Sequence, residues 1–201
     1  MKRTICMRRP NGAVSRWSAG FTMIELITVI LLVGILGGIG ASRFFDDKAF
    51  EGRAYADQAK FMIRYAQKLA IAQNREVFVR SDVNGFAVCF DAACTSANLA
   101  PDPGVSNTGR SYTKAYCLSG GTYLANWLCV GKPANVAVST VPARNELAAG
   151  GYFFFDAMGR PHNKGDAVGG VSTFVAAMPM TFTSGTSSVI VTIEAETGYV
   201  H

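Results

Sequence analysis

The stretch from Phe21 to Ala41 reads FTMIELITVILLVGILGGIGA, and Glu25 is its sole charged residue. A helix rises about 1.5 Å per residue, so this run would extend roughly 30 Å, the thickness of one bilayer core. Lys2, Arg3, Arg8, Arg9 and Arg16 precede it with no acidic residue among them. That asymmetry predicts a span whose N-terminal side stays cytoplasmic while the remainder is exported. A secretory signal would be shorter, with its small-residue cleavage site after the apolar run. Here the cleavage point falls before the run, at Gly20-Phe21, so processing would remove the cations and keep the helix.

Charge follows the same division. The 201-residue chain has a formal net charge of +5, which by itself points to nucleic acid or an anionic membrane. The five leader cations account for it. Without them 14 Lys and Arg face 14 Asp and Glu, and the body is neutral. Cys6 lies in the leader, whereas Cys89, Cys94, Cys117 and Cys129 lie in the body. Four cysteines behind an export signal read as two disulfides made in an oxidising compartment. A zinc site is the rival reading, but these spacings match no common zinc knuckle, and His162 and His201 lie well downstream. Of the three pairings, Cys89–Cys94 with Cys117–Cys129 is favoured because each closes a short local loop; the other two stay open.

Glu25 admits two readings. It is either an interfacial acid in the first helical turn, complementing the helix dipole, or a buried carboxylate that needs a partner. The whole string Gly20-Phe21-Thr22-Met23-Ile24-Glu25-Leu26 resembles the G-F-T-x-I-E-L signature of type IV pilins and type II secretion pseudopilins. The resemblance implies cleavage by a prepilin peptidase between Gly20 and Phe21 and N-methylation of Phe21. It further implies extraction from the inner membrane by an assembly platform, with Glu25 neutralising the N-terminal amine of a neighbouring subunit. Such a pair is strongly position-specifying, because either charge alone would be buried without compensation. The sequence departs from the family in one place: Ser42 stands in Gly40-Ala41-Ser42-Arg43-Phe44 where many pilins have proline. Gly34, Gly37, Gly38 and Gly40 weaken the helix locally or permit close packing.

Beyond Arg43 the pattern stays helical and turns amphipathic. Tyr55, Ala59, Met62, Ala66 and Leu69 recur at three- and four-residue spacing, while Asp57, Lys60, Arg64 and Lys68 occupy other faces. No proline interrupts residues 21–100. The predicted helix runs from Thr22 to Asn74, loosened near Gly37–Ser42 or Asp46-Asp47. From Glu76 short β-type runs follow: 77–80, 86–90, 112–118, 126–130, 136–139, 152–156, 172–176, 180–183 and 189–194. Asn84-Gly85 reads as a hairpin turn, and 98–109 as a polar surface loop. The expected fold is α+β, with a long N-terminal helix, transmembrane then amphipathic, packed on antiparallel sheets of a C-terminal head. Its expected divisions are a leader (1–20), a membrane or filament-core helix (21–42), an amphipathic continuation (43–75) and a periplasmic head (76–201).

Phe153-Phe154-Phe155-Asp156-Ala157-Met158-Gly159-Arg160-Pro161 resembles the F-x-x-x-G-R-P turn of the GspH/FimT group of minor pilins. The closing VIVTIEAETG, Val189–Gly198, is similar to that group's last hairpin. Phe44-Phe45-Asp46 and Arg64–Ala70 resemble MSHA-type minor pilins of the MshC kind. Chemistry finds no comparable support. There is no phosphate loop, nucleophile elbow or metal-ligand spacing, so neither enzyme activity, cofactor nor metal is expected. His162, after Gly159-Arg160-Pro161, reads as an exposed turn histidine. DNA is an unfavoured partner, because the body is neutral and the tail Thr197-Gly198-Tyr199-Val200-His201 has Tyr and His where DNA-binding FimT-type pilins carry arginines. The expected role is a structural minor pilin of an MSHA-type pilus, anchored single-pass in the bacterial inner membrane with its head in the periplasm. A GspH-like pseudopilin comes second and a FimT-like DNA-uptake pilin third.

Overall fold

The computed structural model describes residues 21–44, 47–104 and 107–201. The expected leader 1–20, with Gly20 of the expected cleavage site, lies outside the described residues, as do the side chains from Ile39 to Lys48. The described chain is α+β and divides into two compact units, the first ending at Phe45 and the second running Asp46–His201.

In the first unit, helix α1 covers Met23–Phe44. Every described side chain from Phe21 to Gly38 is exposed. Among the described residues no helix is long and apolar enough to cross a membrane.

In the second unit, α2 covers Asp47–Gln73. Helix is therefore present on both sides of residues 45–46, where the predicted single helix allowed loosening. The C-terminus of α2 is stopped by Asn74, whose φ of 50° is left-handed. Asn74 N–H donates to Ile71 O and Arg75 N–H to Ala70 O, a Schellman closure with asparagine in the usual glycine place. The predicted stripe is the buried face: Tyr55, Ala59, Met62 and Ala66 all lie in the core, joined by Ala56, Ile63 and Ala70, with Leu69 at its margin. Small residues dominate that face, so the helix backbone lies close on the strands below it.

Those strands form two sheets and a small hairpin, all antiparallel. The five-stranded sheet has β1 (Val77–Arg80), β2 (Gly85–Cys89), β5 (Cys129–Gly131), β7 (Tyr152–Phe155) and β8 (Pro161–His162), in the order β5-β2-β1-β7-β8. The three-stranded sheet has β6 (Val136–Thr140), β9 (Met178–Ser184) and β10 (Ser187–Ile193), in the order β10-β9-β6. Strands β3 (Leu118–Ser119) and β4 (Thr122–Tyr123) make the hairpin. Helix α2 packs against both larger sheets, and its buried face meets Val77, Val79, Phe153 and Phe155 from one and Met180, Phe182, Val191 and Ile193 from the other. Among the described residues the first of this core is Tyr55.

Strand β2 is buried on both faces. Phe86 and Val88 join the main core, while Ala87 and Cys89 join a second cluster with Cys117, Trp127 and Cys129. Both favoured disulfides are present, Cys89–Cys94 and Cys117–Cys129. They hold a layer of irregular chain over the outer face of the five-stranded sheet. Trp127 Nε1 donates to Val88 O at 2.9 Å, satisfying the indole N–H inside that layer.

Several expectations need correction. The run 112–118 is not a strand: Ser111–Tyr116 is a helical turn, α3, with Lys114 N–H donating to Arg110 O and Cys117 N–H to Thr113 O. It lies flat on β5 because Gly131 has no side chain; a Cβ there would strike the Tyr112 carbonyl. The run 172–176 is also not a strand. Asp166 captures the Thr173 amide and hydroxyl, and Ser172 Oγ donates to Pro161 O, so side chains replace a ladder. The predicted 126–130 strand is confined to β5. The loop 98–109, of which 105–106 lie outside the described residues, is not wholly superficial: Ala100 is fully buried. Ala100 N–H donates to Val88 O while Leu128 N–H donates to Ala100 O, so the loop wedges between two strand continuations. The β1–β2 turn exists, but Asp82 rather than a left-handed Asn84 shapes it: its Oδ1 accepts the Asn84 amide at 2.9 Å. Gly85 is required for another reason, since a Cβ would meet Val130 O and the Tyr116 ring.

Candidate functional site

The N-terminal turn of α1 holds the residues the sequence singles out. Phe21 is exposed, and Thr22 precedes the first helical residue. The Glu25 amide donates to Thr22 Oγ1 at 3.3 Å, and Thr28 Oγ1 donates to Glu25 O at 2.9 Å. Thr22-Met23-Ile24-Glu25 is thus the T-x-x-E capping pattern, a signal that the sequence reading passed over. Among the described residues the Glu25 carboxylate has no ion-pair partner. Its backbone is used locally, and its charge faces outward beside the bare apolar helix. The arrangement offers an acid in the first turn of the helix and, behind it, a cylinder of exposed Ile, Leu and Val side chains.

On the head, the two family-like motifs meet at one residue of α2. Gln67 Nε2 donates to Gly159 O at 2.9 Å, in the Phe153–Pro161 motif, and to Thr197 O at 2.7 Å, in the closing hairpin. One turn away, Arg64 Nε donates to Val200 O at 2.8 Å. Asp156 builds the first motif's turn, its Oδ1 accepting the amides of Met158 at 2.8 Å and Arg160 at 2.9 Å. Gly159, at φ +80°, lies against Ile71, and Gly198, at φ +63°, lies against the Gly159 carbonyl and Gln67. Both are conformations that L-residues avoid. The motifs are thereby explained as a clamp that fixes the last hairpin to α2, and their separation in sequence hides this.

His162 is not exposed. It is 2% accessible, sits in β8 and stacks on Phe154 with centroids 4.6 Å apart. Its ring nitrogens face Asp156 Oδ2 at 3.4 Å and Asp166 Oδ2 at 3.7 Å. Burial opposes ionisation of Asp166, but the Thr173 hydroxyl and amide, the Asn163 amide and His162 outweigh it and hold its carboxyl below the usual range. Asp91 behaves alike: against the cost of burial, Thr95, Asn98 and the Cys94 amide keep it low. Burial first, then the neighbouring Tyr116, Asp82 and Tyr112, push the Tyr55 hydroxyl well above its ordinary value. These groups are all engaged in holding loops or filling core. Among the described residues no cluster of His, Cys, Asp or Glu could hold a metal ion.

No protein-family model matches this sequence, and no curated protein matches it. Among solved structures it is similar to the type IV minor pilin FimU of Pseudomonas aeruginosa strain PAO1, in two crystal forms. The form in space group P21 aligns with a TM-score of 0.43 at 12% identity, over 76% of this chain and 87% of that one. The form in space group P65 aligns with a TM-score of 0.42 at 12% identity, over 74% of this chain and 90% of that one.

Proposed function

We propose that this chain is a structural, non-catalytic subunit of a type IV pilus-like filament, a minor pilin acting in pilus initiation. The observation that carries this reading is the string Gly20–Leu26 leading into a helix whose described side chains are apolar on every side and exposed. A helix that is apolar all round needs a covering. Here that covering is first the inner membrane, over residues 21–42 with the N-terminus cytoplasmic, and then the helices of neighbouring subunits. Prepilin peptidase cuts after Gly20 and methylates Phe21, the assembly platform extracts the subunit, and Glu25 pairs with the amine of the next Phe21. The body is neutral, which weighs against phosphate-backbone binding and hence against DNA uptake.

The mass of the mature protein tests the processing: it should begin at a methylated Phe21 and carry four oxidised thiols. A mature chain that begins beyond Ala41 would refute the reading. Glu25→Ala should be cleaved normally yet fail to enter filaments, whereas Glu25→Asp should retain part of the incorporation. A strain deleted for the gene should lose surface filaments. Loss of enzyme secretion with filaments intact would instead assign a GspH-like pseudopilin, and the MSHA-type assignment would fall.

A further inference from the structure

A sheet edge leaves N–H and C=O groups without partners, and natural proteins usually shorten, charge or cover it. Strand β10 is such an edge, paired with β9 on one side only. The closing segment covers part of its other side. Thr192 N–H donates to His201 O at 2.9 Å and His201 N–H to Thr192 O at 3.0 Å, while Glu194 N–H donates to Tyr199 O at 2.8 Å. Outward groups recur at every second residue of a strand. Ser188 and Ile190 therefore present the next N–H and C=O groups along the same edge, and among the described residues nothing pairs with them. The strand reads SSVIVTI, without charge or proline. Ile190 is 59% accessible, and the sheet's outer face adds exposed Ala137, Ser139 and Thr183, also uncharged. A groove of about 380 Å³ runs beside Ser187–Val189, between Phe50 and Arg53 of α2 and Phe182 of β9.

We propose that the Ser187–Val191 half of this edge receives an extended, uncharged segment of another filament subunit, added as a strand antiparallel to β10. One of its apolar side chains lies in the groove beside Phe50. The inference rests on the filament reading above. Residues 199–201 already make this pairing one step along the same edge, so the backbone geometry accepts a strand there. Pairing over four or five residues is weak in free solution and gains from neighbours already held together, as in a filament. Two copies joined β10 to β10 would close on a two-fold axis and stop growth, whereas a head-to-tail contact propagates. Main-chain bonds supply the attraction and the groove supplies selectivity, the logic of strand addition at an open edge.

Ile190→Pro tests it in the full-length chain, because the Ile190 N–H points away from β9 and no existing ladder bond is lost. Ile190→Thr keeps the N–H and serves as control. In a strain lacking its own copy, wild type and Ile190→Thr should enter sheared filaments, and Ile190→Pro should fall about tenfold. A second route leaves the head unmutated: a Thr-Val-Thr-Val-Thr extension after His201 should fold back along the edge and block incorporation. A photo-crosslinker at Ser188 should join the chain to an extended segment of a different subunit. Normal incorporation of both Ile190→Pro and the extended chain overturns the proposal, as does a crosslink to β10 of a second copy or to lipid. If wild type itself is absent from filaments, the filament reading fails first, and the two failures are told apart.

Discussion

Helices α1 and α2 use their apolar residues in opposite ways. In α2 the apolar positions form one stripe, and Tyr55, Ala59, Met62, Ile63 and Ala66 vanish into the head. In α1 apolar residues occupy every side, and all those described are exposed. Periodicity is the physical discriminator: a helix with one apolar face is satisfied by one sheet, while a helix apolar all round needs a surrounding that one head cannot give. The contrast teaches that hydrophobicity alone does not say what a segment stabilises. Mutations placed in the two helices should separate stability from assembly.

The largest effect is expected from Met62→Ala against Ile27→Ala. Met62 is fully buried, so its truncation should cost the head about 2–5 kcal/mol. Ile27, exposed in α1, should leave the head's thermal unfolding unchanged and lower filament incorporation instead. Equal destabilisation by both would break the distinction. Gln67→Ala should cost about 1–2 kcal/mol, because two carbonyls lose their donor. That loss should loosen the closing hairpin rather than the core. Amide exchange at Glu194 and Thr192 should quicken, while Val79 and Phe154 stay protected.

Much of this architecture was legible in the sequence, for identifiable reasons. The α2 stripe and strands β1, β2, β7, β9 and β10 are long or periodic enough to declare themselves. The short disulfide loops were also readable, because nearby cysteines rarely have a better partner. Six residues of α3 were not: Tyr112, Thr113 and Lys114 alternate as in a strand, and only contact with Gly131 makes the helical turn preferable. His162 misled because a residue after Gly-Arg-Pro normally faces solvent, whereas here Asp156 and Asp166 bring the chain back over it. The meeting of two motifs at Gln67 required the fold. Strand β10 could be read from its residues, but its open edge depends on strand order, which no local pattern contains.

The smallest expected effect is the response of the second unit, the head, to acid. The head's loops are held partly by carboxylates: Asp166 accepts from Asn163 and Thr173, and Asp91 from Thr95 and Asn98. Both have folded-state values below the ordinary one. An unfolded aspartate takes up its proton near pH 3.9, so the unfolded chain binds protons more readily. Their contribution is therefore complete above about pH 4 and is lost as pH falls through the lower folded values. Asp166→Asn should lower the head's melting temperature by about 3–6 °C at neutral pH. The gap to wild type should shrink as melts are taken to ever lower pH below about 4, as wild type comes to lose the same charge. A gap that is constant with pH would mean that Asp166 acts through shape alone.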